Sequence, residues 1–183
     1  MSDLARAKYK LVSSENIYDG RVFRIRRDVI EHESGYETVR EVVLHGGGAV
    51  AVPLFENGDT LLVRQYRYPM DSFVLEAPAG KLDAGEDPEQ CALRELEEET
   101  GWKAGKALKL TSLMTTPGFC SEVLHIYLAT EITRGTQALE RGEESIEVVR
   151  LPFTRAVEMC RDGGIVDGKT IVGIMLAEKH LAR

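Results

Sequence analysis

Residues 80–102 read GKLDAGEDPEQCALRELEEETGW, and their reading decides the rest of the chain. They hold Glu86, Arg94, Glu95, Glu97, Glu98 and Glu99, a concentration of acid found nowhere else in the sequence. The second half carries helix signals. Asp87 suits an N-cap, Pro88 suits the first helical position, Gln90 completes a capping-box pattern, and Gly101 marks a stop. Positions i and i+4 share a helix face, so Glu95 and Glu99 point the same way with Glu98 beside them. Carboxylates stacked without a lysine repel, and Glu99 lies where the helix dipole disfavours negative charge. Either water solvates that face, with Arg94–Glu98 as mild helix support, or a cation neutralises it. Hard divalent cations such as Mg2+ take oxygen ligands of this kind and bridge to phosphates.

Outside this stretch the totals describe one globular domain with room for a small appendage. The 183 residues, with 43% hydrophobic and 29% charged, suffice for a proper core. Net charge is -7, from 23 basic against 30 acidic residues. That argues against nucleic acid or membrane as a partner, since both want a basic face. An anionic substrate stays open if metal ions supply positive charge locally. Cys91, Cys120 and Cys160 are odd in number and widely spaced, which suggests neither a disulfide framework nor a zinc site. A reducing, cytoplasmic setting is expected. The first ten residues, MSDLARAKYK, carry no apolar signal core. No apolar run approaches the ~20 residues a membrane helix needs.

Between residues 11 and 44 the pattern alternates. Val22, Phe23, Ile25, Val29 and Ile30 sit among Arg24, Arg26, Arg27 and Glu31, and Thr38, Val39, Val42 and Val43 follow a turn signal. Two or three antiparallel strands are expected, with a hairpin near Ser34-Gly35. Gly46-Gly47-Gly48 then marks a hinge. Neither a following helix nor a Lys-Ser/Thr pair accompanies it, so it does not read as a phosphate-binding loop. The boundary divides an N-terminal antiparallel sheet region, 1–45, from the main domain, 46–183. In the main domain a strand at 49–55, a hairpin turn at Glu56-Asn57-Gly58-Asp59 and a partner strand at 60–66 are expected. A short strand at 73–77 delivers Pro78-Ala79-Gly80 to the acidic helix. Strands at 106–114 and 123–130 flank a rigid turn at 115–119. A polar loop at 131–145, a strand at 146–151 and helices at 154–161 and 170–181 close the chain. This order suggests an α+β sandwich.

Written by spacing, the acidic stretch is Gly80, five residues, Glu86, seven residues, then Arg94-Glu95-Leu96-Glu97-Glu98-Glu99-Thr100-Gly101-Trp102. This matches in full the Nudix box, G-x5-E-x7-R-E-U-x-E-E-x-G-U with U a bulky apolar residue. The chain resembles a Nudix hydrolase. The resemblance implies a Nudix-type α/β/α sandwich with a mixed sheet, extended here by the N-terminal sheet. It also implies hydrolysis of a nucleoside diphosphate linked to another moiety, with Mg2+ as cofactor and Mn2+ as the alternative. Glu95, Glu98 and Glu99 would hold the metals. Glu86 would support or join them, and Arg94 would orient a glutamate. The Ala79 carbonyl would add a ligand, which the Gly80 turn lets approach closely. Ala92, Leu93 and Leu96 read as packing residues, and Trp102 as core.

Features beyond the box point within the family. Glu76-Ala77-Pro78-Ala79-Gly80 resembles the E-x-P-A-G lead-in of ADP-ribose pyrophosphatases. Pro117-Gly118, followed by Glu122, resembles the same branch. Glu143-Glu144-Ser145 resembles the acidic loop that carries its catalytic base, with the choice between the two glutamates open. Arg67 sits where relatives place a phosphate-binding arginine. Relatives form homodimers whose N-terminal sheet helps close the adenine pocket, which makes Phe23 a candidate for stacking and Arg40 for polar contact. The expected reaction is ADP-ribose plus water giving AMP and ribose 5-phosphate. Glu144 or Glu143 would activate the water, and Glu122 would contact the terminal ribose or the metal's water network. The alternatives are another nucleotide sugar such as GDP-mannose, or a regulator that binds ADP-ribose without cleaving it.

Overall fold

The computed structural model describes residues 9–139, 141–142 and 144–182. Its strands are β1 (Tyr9–Asp19), β2 (Phe23–His32), β3 (Glu37–His45), β4 (Gly48–Pro53), β5 (Asp59–Arg67), β6 (Ser72–Glu76), β7 (Ala79–Lys81), β8 (Trp102–Met114), β9 (Val123–Arg134) and β10 (Glu147–Pro152). Its helices are α1 (Pro88–Thr100), α2 (Phe153–Asp162) and α3 (Gly168–Leu181). The chain divides into two compact units. One holds the described residues up to Gly46 with Met114–Glu122; the other holds Gly47–Leu113 and the chain from Val123 onward.

In the first unit the alternating segment forms the antiparallel sheet β1-β2-β3. The β2–β3 turn closes through His32 N–H on the Tyr36 carbonyl at 3.0 Å, with Gly35 at φ 87°. Buried Asp28 is satisfied by the Ser14 hydroxyl at 2.7 Å and Arg26 Nε at 3.0 Å. The Met114–Glu122 loop lies along β3, where Val43 N–H donates to the Phe119 carbonyl and Ser121 N–H to the Val43 carbonyl.

The second unit is built on β4. Its sheet runs β7-β4-β9-β8, with β4 antiparallel to β7 and parallel to β9, so the sheet is mixed. Successive strand residues face opposite sides, and both sides are covered. Ala49, Ala51, Tyr127 and Ala129 meet Cys91, Ala92 and Leu96 of α1. On the other face Val50, Val52, Ile126 and Leu128 meet Ile174 and Ala177 of α3 and Phe153, Ala156 and Val157 of α2. Helices on both faces of a mixed sheet make an α/β/α sandwich. Gly173 sets the spacing of α3, because a Cβ there would stand 2.8 Å from Val52 Cγ2.

Several expectations change. The turn at 56–59 does not pair β5 with β4 beyond the single Leu54–Thr60 bridge. Both edges of β4 are taken by β7 and β9, so the turn carries the chain into a second sheet, β10-β5-β6. Gly48 belongs to β4 rather than to the hinge. β7 stands where a turn is expected, β8 begins at Trp102 rather than 106, and β9 runs through Arg134 into the expected loop. Both later helices begin earlier than expected. Asp167 caps α3 by accepting from Thr170 N–H, which adds Gly168 and Lys169 to the helix.

Candidate active site

The N-cap of α1 works as its residue types require. Asp87 accepts from the N–H groups of Glu89 and Gln90, and Gly101 ends the helix at φ 72°, donating to the Glu97 carbonyl. Helical phase then turns Leu96 and Ala92 into the core, while Leu93 is half-buried. The same phase carries Glu95 and Glu99 to β7. Glu99 is 3% exposed, and its Oε2 accepts the Ala79 N–H at 3.0 Å. Glu95 lies over Gly80, so closely that a Cβ at Gly80 would fall 1.9 Å from its Oε1. Two carboxylates one helical turn apart thus converge on the Ala79-Gly80 backbone.

Arg94 organises the remaining acids. Its Nε and Nη2 hold the two oxygens of Glu86 at 2.9 and 3.0 Å. Its Nη1 reaches Glu95 Oε1 at 2.8 Å and Glu98 Oε2 at 2.9 Å. The bond to Glu86 contributes most to holding the guanidinium proton more firmly than usual. The same contact brings Glu86 down to about 2 from the usual carboxylate value of 4.5, against a smaller opposing effect of burial. Cys91, enclosed beneath this cluster near Glu86 and Glu95, is pushed up to about 12 chiefly by burial, and is no nucleophile at neutral pH.

Because the carboxyl of Glu86 is depressed in the fold, its ion pair stabilises fully above pH ~4.5 and is lost as pH falls toward about 2. In EDTA, the melting-temperature gap between wild type and Glu86→Gln is expected to be widest above pH ~5 and to narrow toward pH ~3. A gap that stays constant over that range removes the Glu86–Arg94 pair from the stability of the fold.

Among the described residues no three acidic, histidine or cysteine side chains stand ready-made as a cation cluster, and Arg94 draws Glu86, Glu95 and Glu98 to itself. The donor set nevertheless fits a hard cation. Glu95 and Glu99 bring carboxylate oxygens to one glycine-lined backbone, and oxygen donors are what Mg2+, Mn2+ and Ca2+ take.

The other sequence candidates lie as follows. Arg67 makes a two-point contact with Glu76, Nε to Oε1 at 2.6 Å and Nη2 to Oε2 at 2.8 Å. Glu76 is 3% exposed and also takes the Lys169 ammonium. Burial alone would raise its carboxyl, but the two cations outweigh it and hold it below the usual range. Sequence reading did not single out Lys169 or Asp167, although Asp167 before an apolar helical run is an N-cap signal. Glu144 is exposed and accepts the Gly142 N–H at 2.9 Å, while Glu143 lies outside the described residues. In the first unit, Glu122 pairs with His45 Nδ1 at 3.3 Å. Pro117 and Gly118 form the turn closed by Phe119 N–H and Cys120 N–H on the Thr116 carbonyl. Phe23 packs at 5.8 Å from Tyr18 and borders an open cleft of about 490 Å3 with Arg21, Arg24, His45 and Ser121. Arg40 is exposed and bonds Thr38 Oγ1 and the Val39 carbonyl. Trp102 is half-buried rather than core. It meets Phe55 edge-on at 4.9 Å and carries the Arg134 guanidinium 4.0 Å above its ring.

The chain is 36% identical over 166 residues to the ADP-ribose pyrophosphatase of Bacillus subtilis (strain 168), covering 90% of each. It is 35% identical over 166 residues to the methanol dehydrogenase activator of Bacillus methanolicus, also 90% of each. To the GDP-mannose pyrophosphatase of Yersinia enterocolitica serotype O:8 / biotype 1B it is 37% identical over 160 residues, 82% of this chain and 83% of that one. A crystal structure of an ADP compounds hydrolase matches with a TM-score of 0.84, over 96% of this chain and 95% of that one, at 22% identity, which is a likeness of fold. The NUDIX domain pattern matches residues 45–168, well over half of the chain and the whole of the acidic helix with its β7 turn, so this protein belongs to the Nudix family.

Proposed function

We propose that this chain hydrolyses the diphosphate linkage of ADP-ribose, or of a closely related ADP-sugar, giving AMP and ribose 5-phosphate. The observation that carries the reading is the convergence of Glu95 and Glu99 on the Ala79-Gly80 backbone inside a complete Nudix box. Sequence identity of 36% to an ADP-ribose pyrophosphatase over 90% of both chains supports the substrate class. Glu95 and Glu99, with the Ala79 carbonyl and with Glu98 and Glu86 in support, would hold divalent cations, Mg2+ in the first place. Bound there, such ions offset the charge of the diphosphate and lower the pKa of a coordinated water.

The side chains divide the remaining work. Arg94 fixes the rotamers of Glu86, Glu95 and Glu98, so their oxygens are oriented before substrate arrives. Arg67 spends Nε and Nη2 on Glu76 and offers Nη1 to a phosphate oxygen. Glu144, or Glu143, takes the proton of the attacking water as it adds to phosphorus. Phe23 and Arg40 would recognise adenine, and Glu122, Pro117 and Gly118 the terminal ribose. A cytoplasmic homodimer is the proposed working form. Tyr9, Leu11, Ile17, Tyr18 and Val39 on the β1–β3 sheet are 41% to 54% exposed, which is apolar surface a second copy would cover.

A GDP-mannose pyrophosphatase at 37% identity keeps GDP-mannose as the second reading. Phosphomonoester release from a panel of ADP-ribose, other ADP-sugars, GDP-mannose and dinucleoside polyphosphates, with Mg2+ and a coupled phosphatase, decides between them. ADP-ribose is expected to give the highest kcat/KM. A higher value for GDP-mannose selects the second reading, and tight ADP-ribose binding without turnover selects a regulator. In the same assay Glu144→Gln is expected to lower kcat by ~100-fold with little change in KM. A loss confined to Glu143→Gln moves the base to Glu143.

A further inference from the structure

We propose that the first turn of α3 positions the metal-binding turn: Asp167, Lys169 and Thr170 hold Glu76 and Ala77 so that Ala79 meets Glu99. The inference rests on the reading of Ala79 and Glu99 as cation ligands. Ala77 is buried, and its N–H donates to Thr170 Oγ1 at 2.7 Å. A hydroxyl has one proton to give. Thr170 gives it to Asp167 Oδ2 at 2.6 Å, which leaves its lone pairs for Ala77. Asp167 Oδ2 also caps the helix by accepting Thr170 N–H at 3.0 Å, so the rotor is set by the helix start itself. One residue earlier, the buried Glu76 carboxylate takes the Lys169 ammonium, which Asp167 Oδ1 holds from behind at 3.0 Å.

The chain then has no slack on its way to the site. Arg67 fixes Glu76, the Pro78 carbonyl accepts Ala51 N–H at 2.9 Å, and Ala79 N–H reaches Glu99. Each residue from Glu76 to Ala79 is pinned, and α3 pins the first two. Neither the cap residue Asp167 nor Lys169 and Thr170 of α3 would touch substrate. They are positioning residues, acting through the backbone that carries Ala79 and Gly80.

Full-length protein titrated with Mn2+ alone, followed by the electron paramagnetic resonance of free Mn2+, tests the proposal without catalysis. Thr170→Val is expected to weaken Mn2+ binding roughly tenfold, in line with the loss of outer-shell partners at other metal sites. Thr170→Ser, which keeps the hydroxyl, is expected to restore it to within about twofold. Thr60→Val is the control. Thr60 is equally buried, but its hydroxyl donates to the Pro53 carbonyl of β4 at 2.7 Å rather than bonding the segment from Glu76 to Ala79. It should lose thermal stability and keep wild-type Mn2+ affinity. In turnover assays Thr170→Val should lower kcat and raise the Mg2+ concentration at half-activity, with KM unchanged. Should Thr170→Val fail to fold, Lys169→Met removes the second clamp and is expected to shift affinity the same way. Wild-type affinity in whichever of these two variants folds, or an equal shift in Thr60→Val, overturns the proposal. A wild type that binds Mn2+ but cleaves no nucleotide sugar overturns the ADP-ribose reading and leaves this comparison standing. A wild type that binds no Mn2+ overturns both.

Discussion

Replacing Glu99 with Gln is expected to lower kcat about a thousandfold, roughly 4 kcal/mol of transition-state stabilisation, while the protein stays folded. The substitution keeps the side chain's length and an oxygen that can still accept the Ala79 N–H now held at 3.0 Å. It removes the charge. Glu99 is 3% exposed and shares the Ala79-Gly80 backbone with Glu95, and Glu95 and Glu98 are held by Arg94. A buried carboxylate is costly unless a cation compensates it, and the Arg67 guanidinium lies close enough to attract Glu99. The neutral amide gives up both the cost and the attraction, so the melting temperature in EDTA should change little. It cannot replace an anionic ligand, so added Mg2+ should no longer raise the melting temperature as it does for wild type. Kinetics by phosphate release and melting by circular dichroism, with and without Mg2+, give both halves. Full activity in Glu99→Gln removes Glu99 from the metal site. Lost activity with a collapsed melting temperature makes it a scaffold residue instead.

The two halves of that site were unequally legible. Asp87, Pro88 and Gly101 announced α1 because caps are local: the residues that signal the end also make the hydrogen bonds there. The Arg94–Glu98 contact could be read from i,i+4 spacing, and Glu95 and Glu99 from helical phase. The two-point grip of Arg94 on Glu86 could not, since its shape depends on the loop before the helix. Strand pairing was the harder part. Asn57-Gly58 signals a turn but not which sheet the chain enters next. β4 is apolar throughout because both faces are buried, and such a strand gives no alternation from which to infer a partner. Its parallel neighbour β9 lies far along the sequence. The contacts of Lys169 with Glu76 and of Thr170 with Ala77 each span 93 residues, and no local pattern encodes a link of that length.

Gly80→Ala should separate the fold from the site more sharply than any charge change. The three atoms nearest to a Cβ at Gly80 all belong to the Glu95 carboxylate, Oε1 at 1.9 Å, Cδ at 2.0 Å and Oε2 at 2.4 Å. Those atoms are the far end of a flexible side chain, so they can swing aside at the cost of the Arg94 contact, a partly exposed ion pair of modest worth to the fold. The backbone at Gly80 is not in the left-handed region, so Ala introduces no strain of its own there. The displaced carboxylate is one of the two proposed to hold the cation. The expected result is a fall in kcat of about a hundredfold, near 3 kcal/mol, and a Mg2+ requirement raised by about tenfold. The melting temperature should move by no more than about 3 °C, equivalent to ~1 kcal/mol for a chain of this size. Gly48→Ala supplies the contrast. A Cβ at that position would lie 2.5 Å from the Gly80 carbonyl oxygen, an atom of the β4–β7 ladder that cannot rotate away. Its cost falls on the sheet, so its melting temperature should drop well beyond that of Gly80→Ala. If Gly80→Ala keeps its activity, Glu95 tolerates displacement and the cation is held by Glu99 and the other glutamates. If it unfolds the protein, β7 depends on the missing side chain, and the close approach serves packing rather than metal binding.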